Sequence, residues 1–257
     1  MNILVCMKQV FDDSVEVGYN EAAQAFTPAG IEKIENAFDT YALEMAARLK
    51  ETTGGEITLL SIGDEDAKVA LKNGLAVGGD EAVLILQNDF QDADSYSIAK
   101  LLAQGIQKLE QEKNIKFDLV FCGKETTDFA CGQVGVMLAQ ILQTGVITDL
   151  VDVEYQDKIT GKHETETGYE MIETSTPCVL TVSKPPYEPR YATIKSKMAA
   201  RKKEIQVLSD LSLDTGKVLV KNTYERPKRQ AGVKIVEKTP EEALAKAMAL
   251  IGEAKVI

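Results

Sequence analysis

The strongest constraint on the fold is a regular alternation of short apolar runs and helix-period segments through residues 1–142. Asn2–Met7 reads as a buried strand. Residues 36–50 place Phe38, Ala42, Met45 and Leu49 at helical spacing and stop at Gly54-Gly55. Glu56–Ile62 reads as a second strand, 66–77 as a helix closed by Gly78-Gly79, and Ala82–Leu86 as a third strand. Ser95 reads as the N-cap of a helix striped by Ile98, Leu101, Leu102, Ile106 and Leu109. Phe117–Cys122 is a fourth strand ended by Gly123, and 131–142 a helix with Val134, Leu138 and Ile141 on one face. Alternation of this kind predicts an α/β fold: a doubly wound, mostly parallel sheet with helices on both faces. Ligands of such sheets bind beyond the carboxyl ends of the strands, where strand order reverses. The loops leaving Met7, Ile62 and Cys122 are the first candidates.

The pattern changes after residue 146. Val151–Tyr155 and Tyr169–Thr174 read as antiparallel strands around a polar turn at Asp157–Lys162, and Pro177–Val182 as another buried strand. Residues 183–236 show no clear period and are rich in Lys, Arg and Pro. Thr239-Pro240-Glu241-Glu242 is a capping box with proline at the first helical position, opening a helix striped by Leu244, Met248 and Ile251. The expected division is a domain at 1–183 and, at 184–257, an arm and helix that either reach onto a partner or pack on their own domain.

A net charge of −11 argues against nucleic acid, whose phosphates need clustered cations. No run approaches the roughly 18–20 apolar residues of a membrane helix. The apolar start, Met1–Val5, is too short for a secretory signal, so a cytoplasmic protein without membrane insertion is expected. Cys6, Cys122, Cys131 and Cys178 form no C-x-x-C pair, which leaves zinc and dithiol chemistry without support; Cys6, Cys122 and Cys178 read as buried structural thiols. The single histidine, His163, lies in a polar stretch. No metal site and no general acid, base or nucleophile emerges.

Two segments carry chemical information. Gly123 to Gly135 follows a strand and opens a helix, where unpaired N–H groups and the helix dipole favour anions and glycine permits close approach. It matches neither a Walker sequence nor G-x-G-x-x-G, and an ordinary βα loop has the same composition. Residues 184–203 are locally basic in an acidic chain, with Lys184, Arg190, Lys195, Lys197, Arg201, Lys202 and Lys203 around Tyr191, Ile194 and Met198. Such a segment is either a docking surface with an apolar anchor or a solvated basic turn and helix.

Met1–Lys8 (MNILVCMK), Asn36–Asp39 (NAFD), Gly123–Gly135 (GKETTDFACGQVG) and Glu188–Lys203 (EPRYATIKSKMAARKK) together resemble the electron transfer flavoprotein beta subunit family. Glu170-Met171-Ile172 followed, after four residues, by Pro177–Thr181 has the spacing of the closing half of the family's signature. His163, Thr167 and Ala37 depart from the family pattern, which bears on subgroup.

The resemblance implies a Rossmann-like, adenine-nucleotide-binding domain that works beside a larger alpha subunit holding most of an FAD. The beta subunit itself buries AMP or, in an electron-bifurcating group that oxidises NADH, a second FAD. Carried over, the nucleotide contacts fall at Cys6, at Asn36, Ala37, Phe38 and Asp39, at Ile62, and at Gly123, Lys124, Glu125, Thr126, Thr127, Asp128, Phe129, Ala130, Cys131, Gly132, Gln133 and Val134. Docking on an acyl-CoA dehydrogenase or similar flavin dehydrogenase falls to Arg190, Tyr191, Ile194, Lys195, Lys197 and Met198. The expected function is an electron carrier subunit without catalytic residues of its own. The alternatives are the bifurcating form and a stand-alone nucleotide-binding regulator, which would not need the arm at 184–257.

Overall fold

The computed structural model describes residues 1–22, 25–28, 30–88, 90, 93–214, 216–218, 221–224, 227 and 232–254. Parts of the C-terminal arm, including 219–220, 225–226, 228–231 and 255–257, lie outside the described residues. Residues Met1–Asn222 form one compact unit and Thr223–Ile257 a second.

In chain order the first unit contains β1 (Asn2–Cys6), β2 (Gln9–Phe11), β3 (Gly18–Asn20), β4 (Ala25–Thr27), β5 (Lys33–Glu35) and α1 (Ala37–Thr53). β6 (Glu56–Gly63), α2 (Lys68–Val77), β7 (Glu81–Leu86), α3 (Ser95–Lys113), β8 (Leu119–Gly123) and α4 (Val134–Leu142) follow. Then come β9 (Gly145–Tyr155), β10 (Ile159–Thr165), β11 (Gly168–Thr174), β12 (Cys178–Val182), α5 (Ile194–Lys202) and β13 (Gln206–Leu208). The second unit holds α6 (Pro240–Glu253).

Nine strands form one sheet in the order β11-β10-β9-β12-β8-β1-β6-β7-β13. From β12 to β13 every neighbouring pair is parallel, and β9, β10 and β11 close one edge as an antiparallel meander. The chain runs from β1 outward through β6 and β7, then returns to place β8 on the other side of β1. The order therefore reverses between β1 and β8, which is the switch point of a doubly wound sheet.

Side chains alternate across a strand, and both faces here are covered. Ile3 and Val5 pack with Leu43, Leu59 and Phe121 under α1 and α2. Leu4 packs with Leu60, Ile85, Leu101, Val120 and Leu138 under α3 and α4. That is why Ile3 to Val5 are apolar without a break and fully buried.

Several local expectations change. The cap of α3 is Asp94 rather than Ser95: its Oδ1 accepts from the Ser97 amide at 2.8 Å. Both residues carry a suitable oxygen, and only Asp94 has the extended backbone of a cap. The polar stretch expected as a turn at Asp157–Lys162 is mostly strand: β10 begins at Ile159, which is fully buried, and pairs with β9 and β11. The helix expected from 131 begins at Val134. The stretch without period at 183–236 contains α5, which lies against α2, and β13, which adds a parallel strand beside β7. The capping box holds: Thr239 Oγ1 accepts from the Glu242 amide at 3.3 Å, and Pro240 opens α6. Among the described residues, no helix is long and apolar enough to cross a membrane, and no group of three or more His, Cys, Asp or Glu side chains is placed to hold a metal ion.

Candidate functional site

Two side chains at the start of α1 tie together the loops that leave β1 and β8. Asn36 and Asp39 are both buried, Asn36 completely. The Asp39 carboxylate accepts the Lys8 amide at 2.7 Å and the Gly123 amide at 3.1 Å. The Asn36 amide hydrogen goes to the Lys8 carbonyl at 2.9 Å. Its side chain donates to the Glu125 carbonyl at 2.9 Å and accepts from the Thr127 amide at 3.1 Å. Asn36 stands at the N-cap of α1 but makes no capping bond with its side chain, because that side chain serves the β8 loop. Three stretches far apart in sequence are thus fixed at the switch point, mostly by bonds from the Asn36 and Asp39 side chains to backbone groups.

Burial pushes the Asp39 carboxyl up to about 7, against the pull of the Lys8 and Gly123 amides and the Asn36 side chain. Gly123 is required by space: a Cβ there would lie 2.4 Å from Asp39 Oδ1 and 2.7 Å from Phe38 Cβ.

The outer part of the β8 loop is exposed and ends at a helix start. Lys8 Nζ reaches across to Asp128 at 2.6 Å and lies 4.7 Å from the centre of the Phe129 ring, which is 62% exposed. Lys124 Nζ is 3.7 Å from Asp149 and 5.8 Å from the Phe38 ring centre. The Ala130 amide closes a turn onto the Thr126 carbonyl at 2.7 Å. Gly132 has φ +62, and a Cβ there would have only the Lys124 carbonyl, at 3.7 Å, in reach. Gln133 occupies the N-cap of α4 without a side-chain capping bond. The first amides of α4 are therefore not capped by the chain's own side chain, at the positive end of the helix dipole.

Cys6 and Ile62 sit slightly apart from this group. Cys6 points to the α3/α4 face, and Ile62 packs there on β6, beyond β1. Cys6 and Cys122, 116 residues apart in sequence, lie on neighbouring strands and are both buried on the same face. The neighbouring Cys122 thiol, with burial next, holds the Cys6 thiol well above its ordinary range, so it stays protonated. Two recesses of about 330 and 260 Å³ lie at the opposite, amino end of the strands, one beside Asn2, Glu56 and Glu81 and the other beside Met1 and Asp118. Neither includes a switch-point loop.

The basic segment sits elsewhere, on α1 and α2. Arg190 is committed within the chain. Its Nε donates to Glu44 Oε2 at 2.7 Å and a terminal nitrogen to Glu51 at 2.6 Å, while its amide also reaches Glu44 at 3.1 Å. Glu44 is 3% exposed and also receives Arg48 at 2.7 Å. Burial pushes the Glu44 carboxyl up, but the bonds from Arg190 and Arg48 outweigh it and hold it below its ordinary range. The remaining five docking candidates, Tyr191, Ile194, Lys195, Lys197 and Met198, are exposed, with Tyr191 at 93% and Ile194 at 82%. Sequence reasoning did not single out Lys8, Glu44, Arg48 or Asp149. For Lys8 there was a signal, a cation directly beyond the carboxyl end of a buried strand; for Glu44 and Arg48 there was none beyond helical spacing.

The fold and the gathered loops define a doubly wound α/β protein with a candidate site at the β1–β8 switch point. An electron transfer flavoprotein domain model matches residues 25–212. The chain is 38% identical over 227 residues to the electron transfer flavoprotein subunit beta of Thermoanaerobacterium thermosaccharolyticum, covering 87% of this chain and 85% of the relative. It is 36% identical over 257 residues to the corresponding subunit of Megasphaera elsdenii, covering 95% of each. It is also 36% identical over 209 residues to subunit CarD of the caffeyl-CoA reductase-Etf complex of Acetobacterium woodii, covering 80% of this chain and 78% of the relative. The chain belongs to the electron transfer flavoprotein family, among its beta subunits, and its function is electron transfer in a flavin-associated complex.

Proposed function

We propose that this chain pairs with a larger, flavin-holding alpha subunit, holds an adenine nucleotide at the β1–β8 crevice, and docks flavin dehydrogenases through residues 190–198. The uncapped start of α4 behind Gly132 carries the nucleotide reading. Lys8 is taken by Asp128, and Lys124 lies beside Asp149. A phosphate here is therefore met by the amides of residues 132–134 rather than by free cations. Gly132 leaves the approach open, and Asn36 and Asp39 hold the loop that presents those amides. FAD in the complex supplies the electron-carrying chemistry, and the protein sets its position and surroundings. In the second unit, taken by itself, Leu244, Met248 and Ile251 line one face of α6 at helical spacing, and in this reading the alpha subunit covers that face.

The nucleotide is AMP in this reading. A second reading, favoured by the similarity to a subunit of a reductase–Etf complex, places a second FAD there and makes the complex an NADH oxidoreductase. Nucleotide released from the purified complex decides: one FAD and one AMP, or two FAD.

Gly132→Val is expected to abolish occupancy of the beta site while leaving the FAD of the alpha subunit in place. Gly132→Asn controls for backbone strain, since asparagine tolerates the left-handed conformation. Full beta-site occupancy in both variants would remove the α4 start from the site.

Docking rests on the charge contrast between the basic α5 region and a chain of net charge −11. Exposed cations raise the encounter rate with an acidic dehydrogenase surface and are screened over about 8 Å at physiological ionic strength. Ile194 supplies the apolar hold. Ile194→Ala is expected to weaken affinity for an acyl-CoA dehydrogenase about tenfold with little change in salt dependence, measured as electron transfer at limiting partner. An unchanged rate would rule out the docking role.

A further inference from the structure

α5 has nine residues, of which only Ala200 is buried. A helix of this length does not hold itself in water, and one buried methyl group contributes little. Its start is fixed by Thr193, whose Oγ1 accepts from the Ser196 amide at 3.1 Å, and by the grip of Glu44 and Glu51 on Arg190. Its end is fixed by one side chain from another helix. Lys72, on α2, donates to the carbonyls of Ala200 at 3.1 Å and Arg201 at 3.3 Å, and to that of Lys203. The last carbonyls of a helix have no partner inside it and form the negative end of its dipole, so an ammonium there satisfies both. Lys203 returns the exchange, donating to the carbonyls of Gly79 at 3.1 Å and Asp80 at 2.8 Å, just beyond the end of α2.

We propose that Lys72 is a positioning residue for docking: its ammonium staples the C-terminus of α5 to α2, so that Ile194 and Met198 are presented on an already ordered helix. The inference rests on the docking role proposed above for residues 190–198. Lys72 is half-buried, and its ammonium meets the end of α5 that carries Arg201 and Lys202. Its three carbonyl partners explain why it is there, and they give it a role in order rather than in charge. If unlatching leaves the helix ordered about one-tenth of the time, apparent affinity falls about tenfold, because the partner must wait for the ordered form.

The test uses the complete alpha–beta complex and an acyl-CoA dehydrogenase as electron donor. Lys72→Met keeps the length of the side chain and removes its donors. The expected result is a KM for the dehydrogenase raised about five- to tenfold, with kcat, nucleotide content and the slope against salt unchanged. Hydrogen exchange at residues 200–203 should quicken in the free complex. Lys72→Arg should restore both KM and protection, because a guanidinium has donors for the same carbonyls. If the methionine variant does not assemble, Lys72→Leu, which likewise has no donor, carries the same test. A parent-like KM in Lys72→Met overturns the proposal. So does a raised KM with a flattened salt slope and unchanged exchange, since that would make Lys72 a steering charge. Ile194→Ala run alongside separates the two readings. If it weakens docking and Lys72→Met does not, only the staple is wrong; if neither does, the docking role falls and the staple with it.

Discussion

Gly123→Ala is expected to destabilise the protein by about 3 kcal/mol or more and to lose the nucleotide proposed for the crevice. The added Cβ would lie 2.4 Å from Asp39 Oδ1, 2.7 Å from Phe38 Cβ and 2.9 Å from the Phe38 carbonyl carbon. None of these neighbours is the free end of a flexible side chain. Asp39 is held by two amides, and Phe38 is in the first turn of α1. Relief therefore requires the β8 strand end to move away from α1, which breaks the Gly123 amide bond and leaves a buried carboxylate short of a donor. Gly132→Ala is the contrast. It meets no atom closer than 3.7 Å and has only a left-handed backbone to resist, a cost of roughly 1–2 kcal/mol. Urea unfolding of the two variants beside the parent, with nucleotide analysis of each, makes the comparison. A Gly123→Ala protein within 0.5 kcal/mol of the parent would mean that the crevice floor is not packed as described.

Asp39 should make the stability of this chain fall with rising pH over a window where most carboxylates do the opposite. Its folded-state value, about 7, is raised from an ordinary 3.8. Below the ordinary value the group is neutral in both states. As pH rises toward 7 the unfolded chain ionises first, and folding must keep a proton that the solvent would take. The loss grows to about 4 kcal/mol, at roughly 1.4 kcal/mol per pH unit, and is complete above the folded value. Asp39→Asn cannot ionise. It surrenders one acceptor, so one of the two amides goes unpaired at about 1–3 kcal/mol, a penalty that does not vary with pH. The difference between parent and variant should therefore shift by about 4 kcal/mol in the variant's favour between pH 4 and 8. Denaturant midpoints across that range give the curve. A flat difference would show that the amides of Lys8 and Gly123 outweigh burial and keep Asp39 a carboxylate throughout.

How much of this was legible in the sequence depends on the range of the interactions. β1 announces itself because Ile3, Leu4, Val5 and Cys6, buried on both faces, are apolar without a break. α3 is equally plain, since Leu101, Leu102, Ile106 and Leu109 mark one buried face. β10 was hidden because Gly161, Lys162 and His163 have little strand preference of their own; pairing on both sides decides their conformation. α5 was hidden for the reverse reason, having one buried residue and no stripe. The switch-point loops were found as loops, by topology. Their ties were not, because Asp39 meets Lys8 across 31 residues and Gly123 across 84, and Glu44 meets Arg190 across 146. Nothing local marks such partners. The family resemblance located the residues without showing that Arg190 turns inward to Glu44.

One helix connects both ends of this arrangement. Asp39 and Glu44 sit on α1 five residues apart, about 7.5 Å along its axis. The first fastens the crevice loops and the second fastens the basic segment. The spacing between the crevice proposed for a nucleotide and the segment proposed for docking is thus set by a ruler rather than by a string. Slack introduced into residues 184–189 leaves Arg190 gripping the same carboxylate. One residue added to α1 between Asp39 and Glu44 would turn everything beyond it by about 100° and swing that grip off its target. In chains of this architecture, length changes are tolerable in the loops and not in the first two turns of α1.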